Sequence, residues 1–303
     1  MLSVELNDGL TRNNGEGRTG DLKARTALFI LLLASGLGLY WLSVNDIFSS
    51  HTDYYSHVPV LYLVFCVILF RERKRIFASS GYSLLFGSPA VLLSAAAFAY
   101  TIINKAGFSP NDYCSVLSCA MMLFTAGIFL LCFGPAPFKK AAFPLFLLIL
   151  AIPLPDFLLS RLTVLLRHYS TSATCWILGF FHIFPIREGF ILTLPEITLE
   201  VAEQCSGIRS SIALLIISVL YGRYYLKTMV GRVLLVGVAL VALPIKNGLR
   251  ISSLTILSIY WDRSVLSGSL HTSGGMLFFG VSLVWVMLML FLLAKLERIA
   301  QKR

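Results

Sequence analysis

The sequence predicts an all-α polytopic membrane protein of about eight transmembrane helices, with a short extracytoplasmic hairpin and an interfacial helix before Cys205. Three observations carry that prediction. Of 303 residues, 57% are apolar or aromatic and only 13% are charged, against about 25% charged in an ordinary soluble domain. Apolar runs close to the ~20 residues that a bilayer demands recur along the whole chain. The net charge of +10 is concentrated in alternate loops, the pattern that the positive-inside bias produces. This composition excludes disorder, a secreted disulfide scaffold and a water-soluble globule. It also makes nucleic acid an unneeded explanation for the basic balance.

The first 25 residues are polar and irregular (Asn13, Asn14, Gly15, Gly17, Gly20), so 1–25 is expected to be a solvated cytoplasmic tail. Residues 26–303 form one integral membrane domain. Its spans lie near 26–44, 56–70, 82–103, 113–133, 140–158, 207–222, 232–246 and 272–294. The first carries Tyr40 and Trp41 at its far end and no small-residue cleavage site, so it reads as an uncleaved span. Pro144, Pro153 and Pro155 kink or end the fifth.

The extracytoplasmic segment 159–206 differs in kind. Its first part mixes Arg161, Arg167 and His168 with Leu and Trp, the pattern of an amphipathic helix on the membrane surface, although a span over 160–184 remains open. Next comes Glu188–Leu194, then Pro195–Glu196, then Ile197–Val201, where Ile197, Leu199 and Val201 alternate with Thr198 and Glu200. Period-two alternation beside a Pro-containing turn predicts a hairpin. Ile251–Trp261, after the seventh span, is too short to cross and is expected to re-enter or lie in the interface.

Of the six cysteines, five sit inside apolar runs, and none forms a CxxC or pairs with nearby His at ligand spacing. No metal and no cofactor is expected. Cys205 alone has polar neighbours. It follows a predicted strand and precedes a predicted helix, with Gly207 allowing a tight turn; amides at a helix amino end, or a nearby Arg, stabilise a thiolate.

Charge places three polar clusters on the outer face: Glu203–Arg209, Lys246–Arg250 and His271–Gly275. A Cys, an Arg and a His are thereby brought to one membrane depth. Each has a plainer reading: Cys205 as a buried thiol, Arg250 snorkelling to headgroups, His271 as an interfacial imidazole. Arg209 rivals Arg250, and His51 and His57 rival His271. As chemistry, Arg250 suits the oxyanion of a tetrahedral intermediate. His271, at a helix amino end, suits proton transfer near neutral pH. Glu203 either orients these groups or ends the hairpin.

Val201-Ala-Glu-Gln-Cys205-Ser206-Gly-Ile-Arg209-Ser210, Pro244-Ile-Lys-Asn247-Gly-Leu-Arg250 and His271-Thr-Ser-Gly274 resemble, in order and membrane setting, the signature of the exosortase/archaeosortase family. Ser56-His57-Val-Pro59 is similar to a looser first motif, which more often has Gly in place of Val58. The resemblance implies a membrane cysteine transpeptidase of the PEP-CTERM sorting kind. Its partners would be exported proteins ending in a short motif, an apolar span and a basic tail, together with membrane lipid. Cys205 would be the nucleophile, Arg250 its electrostatic partner and His271 the third catalytic residue, with Glu203, Ser206, Arg209, Asn247 and His57 supporting. Two other classes remain: a transporter or flippase, which would want polar groups near the midplane and repeated halves, and a non-catalytic component of envelope polysaccharide machinery.

Charge gives a direct test. With both termini inside, 17 of the 25 basic residues are cytoplasmic with 6 acids, leaving 8 basic and 9 acidic residues outside. Reporter fusions after Lys140 and Arg303 should read cytoplasmic, and one after Val201 extracytoplasmic. A cytoplasmic reading at Val201 would put Cys205 on the wrong side for sorting.

Overall fold

The computed structural model describes residues 2–50, 55–78, 81–195, 197–203, 207–261 and 275–301, without the side chains of 2–19, Ser50 and Arg209. The chain divides into two compact units, Met1–Asp156 and Phe157–Arg303. Five described helices are long and apolar enough to cross a membrane, or six if the broken pair Ala142–Ala151 and Asp156–Phe180 is one span. Two more apolar helices are shorter, so length and composition alone support five or six of the eight expected spans. The protein is nonetheless all-α and multi-pass, with one small sheet.

In the first unit, α1 is Leu2–Ser50, so the amino-terminal segment expected to be irregular is helical. The helices α2 (His57–Arg71) and α3 (Arg73–Ile76) follow. Next, α4 (Leu84–Ile103) packs closely on α5 (Pro110–Phe133). A Cβ at Gly87 would sit 2.6 Å from Leu131, and one at Gly127 3.0 Å from Val91. Small residues let apolar helices approach where no hydrophobic force drives them together. Tyr40 of α1 shares a 2.7 Å hydrogen bond with Ser118 of α5. Phe29 meets Phe129 and Phe133 edge to face, and Phe77 and Phe129 each meet Phe133 at a tilt, which joins the four rings in one cluster.

After α6 (Pro135–Lys140) the expected fifth span is not one helix. A short α7 (Ala142–Leu147) and a 3-10 turn (Leu148–Ala151) end before Pro153, and α8 begins at Asp156 and runs to Phe180. The prolines at 153 and 155 make the break; Pro144, in the first turn of α7, does not. Freed backbone needs partners inside a membrane protein. Ser115 donates to the Pro153 carbonyl at 2.8 Å, and Asp112 accepts from the Asp156 amide at 2.8 Å.

The second unit contains α8, a three-stranded sheet, α9 (Ile208–Tyr225), α10 (Met229–Tyr260) and α11 (Gly275–Ala300). The expected hairpin is β2 (Ile191–Thr193) with β3 (Thr198–Glu200), Leu192 opposite Leu199. The alternation reading missed β1 (Ile186–Glu188), which joins β2 through a turn where Gly189 takes φ +62°. Ile186-Arg187-Glu188 carries one apolar residue and so shows no alternation.

The seventh span does not end at 246: α10 continues through Lys246–Arg250 to Tyr260. Its 32 residues are about 48 Å long, so the stretch expected to re-enter extends the same helix. Thr228 caps it, accepting from the Gly231 amide at 3.0 Å. Glu297 of α11 accepts from the amides of Lys227 and Thr228 at 2.7 and 3.1 Å, a carboxylate at the positive end of a helix. Leu214, Leu235, Leu243, Val286 and Leu290 fill the core among α9, α10 and α11.

Two glycines of α10 should respond oppositely to Ala. A Cβ at Gly248 would meet Ala173 Cβ at 2.7 Å, whereas Gly237 has nothing within 4 Å. Gly248→Ala should lower the thermal midpoint in detergent. Gly237→Ala should leave it level or raise it, by up to about 1 kcal/mol of helix propensity. Equal responses would mean that α8 and α10 do not pack as closely as this.

Candidate functional site

The site assembles from Arg167 outward. This side chain projects from α8 and is only 7% exposed. Its Nε donates to the Val201 carbonyl at 2.7 Å, and its terminal nitrogens lie 3.5 Å from carboxylate oxygens of Glu200 and Glu203. The guanidinium also lies over the Phe190 ring, 4.1 Å from its centroid, well inside the ~6 Å reach of a cation–π contact. A planar fork with several donors can hold a carbonyl and two carboxylates at once. Arg187 adds a second tie: its Nη1 donates to Ser172 at 2.8 Å, and its Nη2 lies 3.3 Å from His168 Nδ1. The sheet is thereby fastened to α8 through β1 and through the residues that follow β3.

The chain leaves β3 at Glu200 and enters α9 at Ile208 through Gly207, whose φ of +71° lies in the left-handed region. Only glycine takes that conformation freely. Ser210 and Ser211 both donate to the Gly207 carbonyl at 2.8 Å, securing the first turn of α9.

Residues from α10 close the other side. A Cβ at Gly207 would lie 3.3 Å from Lys246 Nζ and 3.7 Å from Asn247 Oδ1. Lys246 is 7% exposed and Asn247 1%. Lys246 Nζ donates to Ser210 Oγ. Among the described residues no carboxylate reaches ion-pair distance of Lys246. Arg250, half-buried, follows one helical turn later on the same face. Two cations at i and i+4 repel each other, so this face of α10 presents concentrated positive charge to the turn.

Of the sequence-derived set, the structure places Asn247 beside Gly207, with Arg250 one turn further along α10, and Glu203 against Arg167. Cys205, Ser206 and His271 lie outside the described residues, as does the Arg209 side chain, although its backbone belongs to α9. His51 is likewise outside them. His57 is half-buried at the start of α2, in the first unit. Among the described residues no His, Cys, Asp or Glu group is arranged to hold a metal ion.

Sequence reasoning missed two residues, Arg167 and Lys246. The available signal for Lys246 was its position four before Arg250. For Arg167 it was a charge within a helix whose remaining sequence is rich in apolar residues. Close small-residue contact holds α10 against α8: beyond Gly248 against Ala173, Ser252 donates to the Thr174 carbonyl at 3.3 Å.

A family model described as transmembrane exosortase matches residues 41–288, which include the Glu203–Arg209, Lys246–Arg250 and His271–Gly275 runs. No curated protein and no solved structure matches the chain.

The two buried cations should behave differently when replaced. Arg167→Met strands the buried Val201 carbonyl while the exposed Glu200 and Glu203 carboxylates stay in water, so it should destabilise by roughly 1–3 kcal/mol, the cost of an unsatisfied buried acceptor. Lys246→Met removes a buried charge that has one hydroxyl acceptor, so stability should hold or rise. Thermal unfolding of both variants in one detergent reads the difference. A large loss in Lys246→Met would make Lys246 a structural residue.

Proposed function

We propose, since the chain belongs to the transmembrane exosortase family, that it is a membrane cysteine peptidase and transpeptidase. It cleaves exported proteins at a carboxy-terminal sorting signal of short motif, apolar span and basic tail. One observation carries the reading beyond the family match. The turn that follows Cys205 in the chain packs against the stretch of α10 that ends in Arg250, with Gly207 beside Lys246 and Asn247.

In this reading both termini are cytoplasmic and the site faces outward from the inner membrane. The substrate lies in the bilayer with its basic tail inside, which presents the peptide motif to Cys205. The Cys205 thiolate attacks the scissile carbonyl. The Arg250 guanidinium receives the oxyanion, a contribution of about 10²–10³ in rate. As the C–N bond breaks, His271 delivers a proton to the leaving amine and a thioester to Cys205 remains. His271 then takes a proton from the incoming water or amine, whose attack on the thioester releases the product and restores the thiolate. Glu203, held by Arg167, fixes the strand that leads to Cys205. Asn247 lines the Gly207 turn, and Ser206 and Arg209 flank it.

Substrate size on a gel, with membrane abundance measured in parallel, tests the reading. Cys205→Ala should abolish processing. Cys205→Ser should come close, because an alcohol is far less acidic than a thiol. Arg250→Lys keeps the charge and loses the planar fork, so a large loss is expected. His271→Ala should stop turnover and leave Cys205 open to alkylation. Full processing by Cys205→Ala at normal abundance would overturn the enzyme reading in favour of a non-catalytic envelope component.

A further inference from the structure

The first unit contains a cavity of about 800 Å³ between α1 and α2 that the proposed chemistry does not use. Its wall on α1 runs from Leu22 to Leu37, 16 residues or about 22 Å of helix. Phe29 and Leu33 face Leu69 and Phe70 across it, and Phe133 contributes from α5. Cationic lining is confined to one end, at Arg73 and Lys74. Thr26, the one hydroxyl in the wall, already donates to the Leu22 carbonyl at 2.8 Å.

Among the described residues no carboxylate pairs with the charge at that end. The nearby carboxylates are committed to other cations: Asp21 to Arg25, at 3.0 Å through Nε, and Glu72 to Arg75, at 3.3 Å. Arg73 donates to the Phe70 carbonyl at 2.9 Å and lies over the Phe70 ring at 4.1 Å. This holds its guanidinium at the mouth of the cavity. Among the described residues neither Arg73 nor Lys74 has a carboxylate within ion-pair distance. The cavity thus presents a long apolar wall with two uncompensated cations at one end.

We propose that this cavity binds one anionic phospholipid of the leaflet facing Arg73 and Lys74, with its phosphate on those two side chains and its acyl chains along α1. Size and charge both select this occupant. A methylene fills about the 30 Å³ of a water molecule in the liquid. The 800 Å³ therefore accommodates about 27 of them, close to the two chains of one phospholipid. A transmembrane helix 10–12 Å across and 22 Å long needs about 2,000 Å³, more than twice the space. The basic tail of a sorting substrate would also meet the same sign of charge. Basic sites between helices on the cytoplasmic side suit anionic headgroups. The site stands apart from the Cys205 reading and survives if that reading fails.

Native mass spectrometry of the full-length protein in detergent tests the proposal, with phosphatidylglycerol, phosphatidylcholine of the same chains, and glycerol 3-phosphate added separately. One phosphatidylglycerol should be retained with about 30-fold preference over phosphatidylcholine, from about fivefold for each basic residue near the headgroup. Arg73→Gln with Lys74→Gln should bring the two lipids level. Ala34→Trp, which fills the wall, should lose phosphatidylglycerol while thermal unfolding shows the variant still folded. Equal retention of both lipids by the unaltered protein would overturn the proposal, as would a preference surviving the double substitution. Retention of glycerol 3-phosphate as strongly as the lipid would reduce the site to a surface anion contact. Displacement of the lipid by a peptide carrying a sorting-signal helix would assign the cavity to substrate instead.

Discussion

The polar end of the second unit depends on the Arg167 guanidinium. A buried cation costs several kcal/mol to desolvate, and the cost is recovered only by close, well-directed partners. Arg167 finds them in the Val201 carbonyl, two carboxylates and the Phe190 ring. All belong to the hairpin or to the residues just after it. A three-stranded sheet of three-residue strands is far below the size that is stable in isolation. Its anchorage to α8 gives it a fixed exit direction. Gly207 then turns the chain into α9, and the first turn of α9 meets α10.

Much of this was legible in the sequence. Helix-forming apolar runs are visible because lipid demands an uninterrupted apolar stretch. The β2–β3 hairpin showed because β3 alternates beside a proline turn. Gly207 could be expected from its place between a strand and a helix. What was not legible depended on tertiary context. The continuation of α10 through Lys246–Arg250 escaped because a polar run in an apolar helix looks like an end. Within the fold it is an interior stretch, since Lys246 and Asn247 are buried against the Gly207 turn. The helicity of the amino-terminal segment escaped for the converse reason: glycine and asparagine lower propensity without forbidding helix.

The same chemistry is treated differently in the two units. At Arg167 a buried cation is surrounded by acceptors, which is a structural use of charge. At Lys246 and at Arg73–Lys74 positive charge is held with no described carboxylate within ion-pair distance. Positive charge that the fold does not neutralise favours an external anion, and the two locations differ in what surrounds them. Around Lys246 the neighbours are polar and close: Ser210, Asn247 and the Gly207 turn. Around Arg73 and Lys74 the neighbours are hydrocarbon, over a wall about 22 Å long. The first setting fits small-group chemistry, the second an amphiphile.

Helix arithmetic explains why the Gly207 turn meets Lys246 rather than some other part of α10. α9 ends at Tyr225 and α10 begins at Met229, so the two helices are joined by three residues and must run antiparallel. Gly207 lies 18 residues before Tyr225 and Lys246 lies 17 after Met229. At 1.5 Å per residue both are about 26–27 Å from the shared connection, hence at the same depth. That distance is slightly less than the ~30 Å thickness of the hydrocarbon core. If the basic connection sits at one face, the Gly207 turn and the Lys246–Arg250 stretch arrive at the opposite face together. The remaining ten residues of α10, Ile251 to Tyr260, continue for about 15 Å past the site. An insertion of one residue in α9 between Ile208 and Tyr225 would rotate the Gly207 turn by about 100° and move it by 1.5 Å relative to α10. The register of these two helices, more than the chemistry of any one side chain, is what brings the Gly207 turn and the Lys246–Arg250 stretch to one place.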